Sequence, residues 1–267
     1  MRWSKIKNII ILLLVVVNGF LLAQVGLREW RSHRNERETR ERMIAILARN
    51  DVSYLPGSVP GGLELTSRRV TLSPFGQDQA ALLVGAVADV QDQGTQTLYT
   101  GAEGTAVLTA AGELTVEFPE GNTLTESVLL ERLSKLGVSL RETGRTETPD
   151  GSAVTCVQLW DGVPIPGEKA LLRYEGQSLR SLTLRLLAGT EEVLPQEETI
   201  TAVTALARLL DELSRGEGYV CSQITDLYPG YVSGGTGPVT LTPAWFIETD
   251  TWRFVVDGVT GAVTATE

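Results

Sequence analysis

The nineteen residues from Ile9 to Leu27 carry no charged side chain and are interrupted by only two polar ones, Asn18 and Gln24. As a helix rising about 1.5 Å per residue, such a run reaches across the roughly 30 Å hydrocarbon core of a bilayer. Nothing beyond Arg28 is comparably apolar. Residues 9–27 are therefore expected to form one transmembrane helix, with residues 1–8 as a head on one side and the rest of the chain on the other.

The two flanks argue for opposite orientations. Arg2, Lys5 and Lys7 precede the span, whereas Arg28, Arg31, Arg34, Arg37, Arg40 and Arg42 follow it, and a bare count of basic residues puts the amino terminus outside. The six arginines, however, are interleaved with Glu29, Glu36, Glu38 and Glu41, while the head is purely basic and shaped like the start of an exported segment. The expected topology is a cytoplasmic head and an extracytoplasmic carboxyl domain in the cell membrane. Cleavage as a signal peptide is the alternative; against it, the run exceeds an ordinary signal core and no Ala-x-Ala site follows.

Beyond Arg42, 225 residues hold 14 basic and 29 acidic side chains, a net charge of about −15. That sign repels nucleic acid and anionic lipid, so neither is an expected partner.

Residues 28–50 read as a juxtamembrane helix of charge pairs. Its end carries Met43, Ile44, Ile46 and Leu47, which require a surface to dock on. Residues 51–137 read as a first strand-rich unit, with strands over 63–72, 80–90, 95–100, 105–109 and 113–118. A helix over 123–137 covers it, with Thr123 and Glu126 as a capping box and Leu129 and Leu133 on its buried face. Residues 138–267 repeat the scheme. Strands are expected over 153–160, 163–174 and 179–187, with turns at Asp161-Gly162 and Glu175-Gly176. A linker over 188–199 precedes a helix over 200–215, and strands follow at 219–227, 239–249, 251–256 and 262–265. The fold class is α+β: a transmembrane helix, then antiparallel sheets each covered by a helix, in two similar units.

Catalytic groups are sparse in this pattern. His33, the sole histidine, sits beside the span, so the domain cannot assemble a Ser-His, Cys-His or histidine-metal site. Neither Lys135 nor Lys169 follows a serine at the Ser-x-x-Lys spacing. The run Asp89 to Gly94 opens like a calcium loop, but the twelfth position is Thr100 where a bidentate Glu is needed. Gly230 to Gly237 has no Gly-Lys-Ser/Thr and reads as a loop between strands. No enzyme activity, cofactor or metal is expected. Cys156 and Cys221, both on expected strands, are either bridged or two buried thiols.

Inside the span, Gly19, Ala23 and Gly26 fall at i, i+4 and i+7, a stripe of small residues along which another helix can approach, with the Asn18 amide beside it. Small residues are common in membrane helices, yet this is the expected contact with a partner helix.

The opening Met1-Arg2-Trp3-Ser4-Lys5-Ile6-Lys7, followed at once by the anchor, resembles the start of the YycI/YycH regulatory proteins. So does the ending. Pro243-Ala244-Trp245-Phe246-Ile247, Trp252 to Gly258 and Thr260-Gly261 are similar to the carboxyl-terminal hairpin of the YycI branch, which is itself like a PepSY unit, and Trp160 to Ile165 fits the same layout. The resemblance implies a single-pass extracytoplasmic regulator of a WalK-type sensor histidine kinase in Gram-positive bacteria, with a YycH-like protein as co-regulator. The rival readings are a PepSY-like inhibitor or chaperone of a secreted peptidase and, more remotely, an enzyme working through carboxylates.

Overall fold

The computed structural model describes residues 37–195, 198–215, 218–235 and 238–266. The expected head, span and Asn18-Gly19-Ala23-Gly26 stripe lie outside the described residues, as does the start of the juxtamembrane helix. Among the described residues, no helix is long and apolar enough to cross a membrane.

The fold is α+β, built on two sheets. Sheet B is antiparallel throughout and runs, edge to edge, β3 (Val87–Asp92), β4 (Gln96–Gly101), β5 (Gly104–Thr109), β6 (Glu113–Glu117), β10 (Ser178–Arg185), β9 (Val163–Glu175), β8 (Gly151–Trp160) and β7 (Ser139–Thr148). Sheet A runs β1 (Ser53–Tyr54), β12 (Gln223–Gly234), β13 (Val239–Thr249), β14 (Arg253–Asp257) and β15 (Val263–Thr266), while β2 (Arg68–Leu72) pairs with both β13 and β11 (Gly189–Val193). Its pairs are antiparallel except β1 with β12.

The sheets do not divide at residue 137. Thr115 of β6 pairs with Thr183 of β10, so strands assigned by pattern to different units share sheet B. At its borders β2 and β11 pair with each other, Leu72 opposite Gly189, and the expected linker over 188–199 thus supplies a strand of sheet A. Sheet B is a continuous insert within sheet A, where two consecutive units were expected.

Each sheet has its own helices. Residues 37–49 are helical (α1), and Met43 and Leu47 enter a cluster with Ala205, Leu206, Leu209, Trp245 and Phe254. Leu47 is fully buried, whereas Ile46 stays 44% exposed. The docking surface that the helix's apolar end requires is therefore sheet A together with α4 (Ala202–Ser214), whose first turn is capped by Thr201 accepting from the Thr204 amide. Sheet B is covered by α2 (Gln77–Val84) and α3 (Glu126–Lys135), through Ala80, Leu83, Leu129 and Leu133.

Several local expectations differ from what is observed. The strand over 80–90 is α2 followed by β3, because Ala80, Leu83 and Val84 lie at i, i+3 and i+4 and bury one helical face. The Thr123–Glu126 capping box is absent: Thr125 is the N-cap, and the Glu126 carboxylate instead accepts from the Tyr174 hydroxyl at 2.7 Å. The strand expected at 219–227 starts later, at Gln223, and continues through Gly230 to Gly234.

Candidate functional site

The sheets meet where β9 breaks its ladder with β8. Val157 pairs with Lys169, but the next residue, Gln158, pairs with Ile165, so Pro166-Gly167-Glu168 bulge out. Proline has no N–H to give a ladder, and bulges are where strands tolerate it. Just before the bulge β9 leans on β12 at Gly230, where a Cβ would stand 2.8 Å from the Pro164 carbonyl oxygen and 2.7 Å from the Phe246 ring. Only glycine permits that approach.

Glu168, displaced from the ladder, turns inward, and its side chain is 7% exposed. Its Oε1 accepts from Ser233 Oγ at 2.6 Å and from Arg185 Nη1 at 3.0 Å. Arg185 Nη2 donates to the Gly235 carbonyl at 3.1 Å, and Gln158 Nε2 donates to the Arg185 carbonyl at 2.6 Å. One carboxylate thus ties β9 and β10 of sheet B to β12 of sheet A by charge-assisted bonds. An apolar layer that includes Val70, Ile165, Leu187, Tyr231 and Leu241 closes the junction.

Two further polar nodes flank it. Arg68 Nη1 donates to Asp161 at 2.8 Å and to Glu191 at 2.5 Å, and Trp160 Nε1 donates to Glu191 at 2.7 Å. The bond from Arg68, helped by that from Trp160, holds the Glu191 carboxyl below the usual carboxylate range. On the other side Arg253 Nε and the Tyr228 hydroxyl both donate to Glu248, at 2.6 and 2.9 Å, and Tyr228 stacks on Phe246 with centroids 5.6 Å apart. Burial, reinforced by the Glu248 charge, pushes the Tyr228 phenol well up and keeps it a neutral donor.

Three open clefts surround the bulge. One of about 440 Å³ lies beside Lys169, Val232 and Arg253, one of about 630 Å³ between Arg141 and Tyr228, and one of about 850 Å³ beside Thr155, Thr183 and Arg185. The carboxylates of the three nodes are already engaged as acceptors, and among the described residues no group of three His, Cys, Asp or Glu could hold a metal ion. What the arrangement offers is a shaped surface of bound charges and aromatic faces, suited to recognition.

Cys156 is buried in the core of sheet B and Cys221 is half-buried against that of sheet A. Both are free thiols, and burial pushes the Cys156 thiol up to about 11, with Glu126 and Glu142 adding to the shift. In the sequence, Trp160 to Ile165 and the Gly230 run draw notice as motifs, but nothing marks Glu168, Arg185 and Ser233 as partners, because they come from three separate strands.

No family model and no curated protein matches the chain. Among solved structures it is similar to an uncharacterized protein from Eubacterium rectale ATCC 33656, with 10% identity and a TM-score of 0.49 over 76% of this chain and 86% of that one.

Proposed function

We propose that this chain is a single-pass, membrane-anchored regulator. Its extracytoplasmic domain acts by protein–protein contact on a WalK-type sensor histidine kinase, with a YycH-like protein as co-regulator. The observation that carries this reading is the seating of α1. The described helix buries Met43 and Leu47 in the core of sheet A, and the helix expected over 28–50, continued to the span, would act as a lever that delivers a tilt of the domain to the span. Two helix-covered sheets and a carboxyl-terminal β13–β14 hairpin accord with the YycI and PepSY likeness; in that hairpin Trp245 Nε1 donates to the Ile200 carbonyl at 3.0 Å and so fastens the strand to the start of α4.

A reporter fused after Glu267 is expected to be active only outside the cytoplasm. Cross-linking in native membranes is expected to capture a sensor kinase, and Gly19→Ile combined with Ala23→Ile to reduce that capture while Leu13→Ile and Leu21→Ile do not. Cytoplasmic activity of the reporter overturns the topology. Capture of a secreted peptidase without a kinase favours the inhibitor reading instead.

A further inference from the structure

The face of sheet B turned away from α2 and α3 has no cover within the described chain. Strand registers place Leu98, Val107, Thr115, Thr183, Leu171 and Thr155 in one row across six strands, and all six are partly exposed. In the adjoining row Arg141, Val157 and Lys169 are successive partners across β7, β8 and β9. Lys169 and Arg185 line the 850 Å³ cleft with Thr155, Leu171 and Thr183. Arg173 shares the face, four residues further along β9 and so roughly 13 Å from Lys169 at the rise of a strand.

Charge sets this face apart. Of the thirteen arginines and lysines after Asn50, nine form ion pairs. The four that form none among the described residues are Arg141, Lys169, Arg173 and Arg208, and the first three lie here. The carboxylates near these cations are Glu168, bound to Arg185, and Glu113 at the rim of the 850 Å³ cleft; Glu175, bound to Arg180, and Glu117, two strands from Arg173 in its row; and Asp226 and Glu248, which line the 630 Å³ cleft with Arg141. Lys169 and Arg173, roughly a Debye length apart and without an ion-pair partner among the described residues, make β9 a local positive stripe on an otherwise acidic domain.

The geometry points to an acidic, extended segment of a partner protein as the occupant, laid along β9. Lys169, Leu171 and Arg173 present cation, apolar and cation on one face at every second position, which matches an extended segment whose facing residues, also every second one, run acidic, apolar, acidic. Leu171 stands between cations too widely spaced to grip one phosphate, whereas a strand reaches both. Nothing in this surface depends on the kinase contact proposed above, so its failure leaves that contact standing.

The test uses the full chain in neutral detergent micelles and a fluorescein-labelled peptide of about twelve residues repeating Glu-Ser-Val-Ser, which puts acidic and apolar side chains alternately on one face and reaches past both Lys169 and Arg173. Fluorescence anisotropy is expected to show saturable binding that weakens roughly tenfold or more between about 50 and 300 mM NaCl. Lys169→Glu with Arg173→Glu abolishes it, and Lys169→Gln with Arg173→Gln weakens it less. Arg208→Glu, which removes an unpaired cation elsewhere, leaves it unchanged. Lys169 and Arg173 on β9 and Arg208 on α4 are all exposed side chains, and circular dichroism melts are expected to show that the variants remain folded. Absence of saturable binding, equal loss in Arg208→Glu, or displacement of the peptide by inorganic phosphate at low millimolar concentration overturns the assignment.

Discussion

Leu47→Ala tests whether α1 belongs to the core of sheet A or merely passes over it. Leu47 has no exposed surface and shares a cluster with Leu206, Leu209, Trp245 and Phe254. Truncation to alanine forfeits about 2 kcal/mol of transfer free energy at roughly 0.8 kcal/mol per methylene. The cavity left behind brings the total to about 3–4 kcal/mol, within the range measured for buried leucines. With a urea dependence near 3 kcal/mol/M for a domain of this size, the midpoint should fall by about 1 M. Ile46, one residue earlier and 44% exposed, should shift it by a small fraction of that when changed to alanine. The assay is urea denaturation of the full chain in micelles, followed by tryptophan emission, since Trp245 lies in the same cluster, and by circular dichroism. Equal shifts for the two variants refute the integration of α1 and remove the lever from the proposed function.

Glu168→Gln weakens the Arg185 pair and the Ser233 bond; because Arg185 is 30% exposed, the expected loss is about 1–3 kcal/mol, below that of a fully buried pair. Exposed Glu113→Gln serves as the near-neutral control in the same denaturation. Glu191 has a folded pKa held below its ordinary value of 4.5, so its contribution is present above that value and is lost as pH falls through the folded one. Wild type should therefore exceed Glu191→Gln in stability near neutrality by under about 1 kcal/mol, the group being 36% exposed, and the gap should close below pH 4.5, as read by melting temperature against pH. Two thiols should titrate in unreduced, denatured protein, and in the native protein at pH 8 alkylation followed by peptide mapping should find Cys221 modified before the more deeply buried Cys156.

Elements with a strong period were legible in the sequence. The helix read over 200–215 is Ala202–Ser214, because its leucines repeat at helical spacing, and the Asp161-Gly162 turn is marked by two residues that tolerate positive φ, +50° and +80°. The β7 strand was invisible for a physical reason: from Glu142 to Thr148 every residue is exposed, so an edge strand had no apolar alternation to show. Eight-residue α2 is too short to display more than one apolar turn, which made it look like a strand. Pairings such as Ser53 with Gln223 or Val239 with Val70 join residues far apart in the chain, and no local pattern encodes them. The junction was hidden likewise, since Glu168, Arg185 and Ser233 come from three strands and their pairing has no local signature.

The nesting of the sheets bears on how the chain is made. In a polypeptide delivered amino terminus first, all eight strands of sheet B are available once Arg185 has emerged. By then α1, β1 and β2 have been outside longest, yet they remain unfinished, since β13 supplies the ladder to β2 and flanks β12 and β14. Folding therefore proceeds from the middle outward: the insert forms from hairpins joined by the β6–β10 pairing, and α1 is locked in place last, by the final strands of the chain. A nonsense mutation between Val193 and Thr201 would leave the strands of sheet B complete and α1 without the α4, β13 and β14 it docks on.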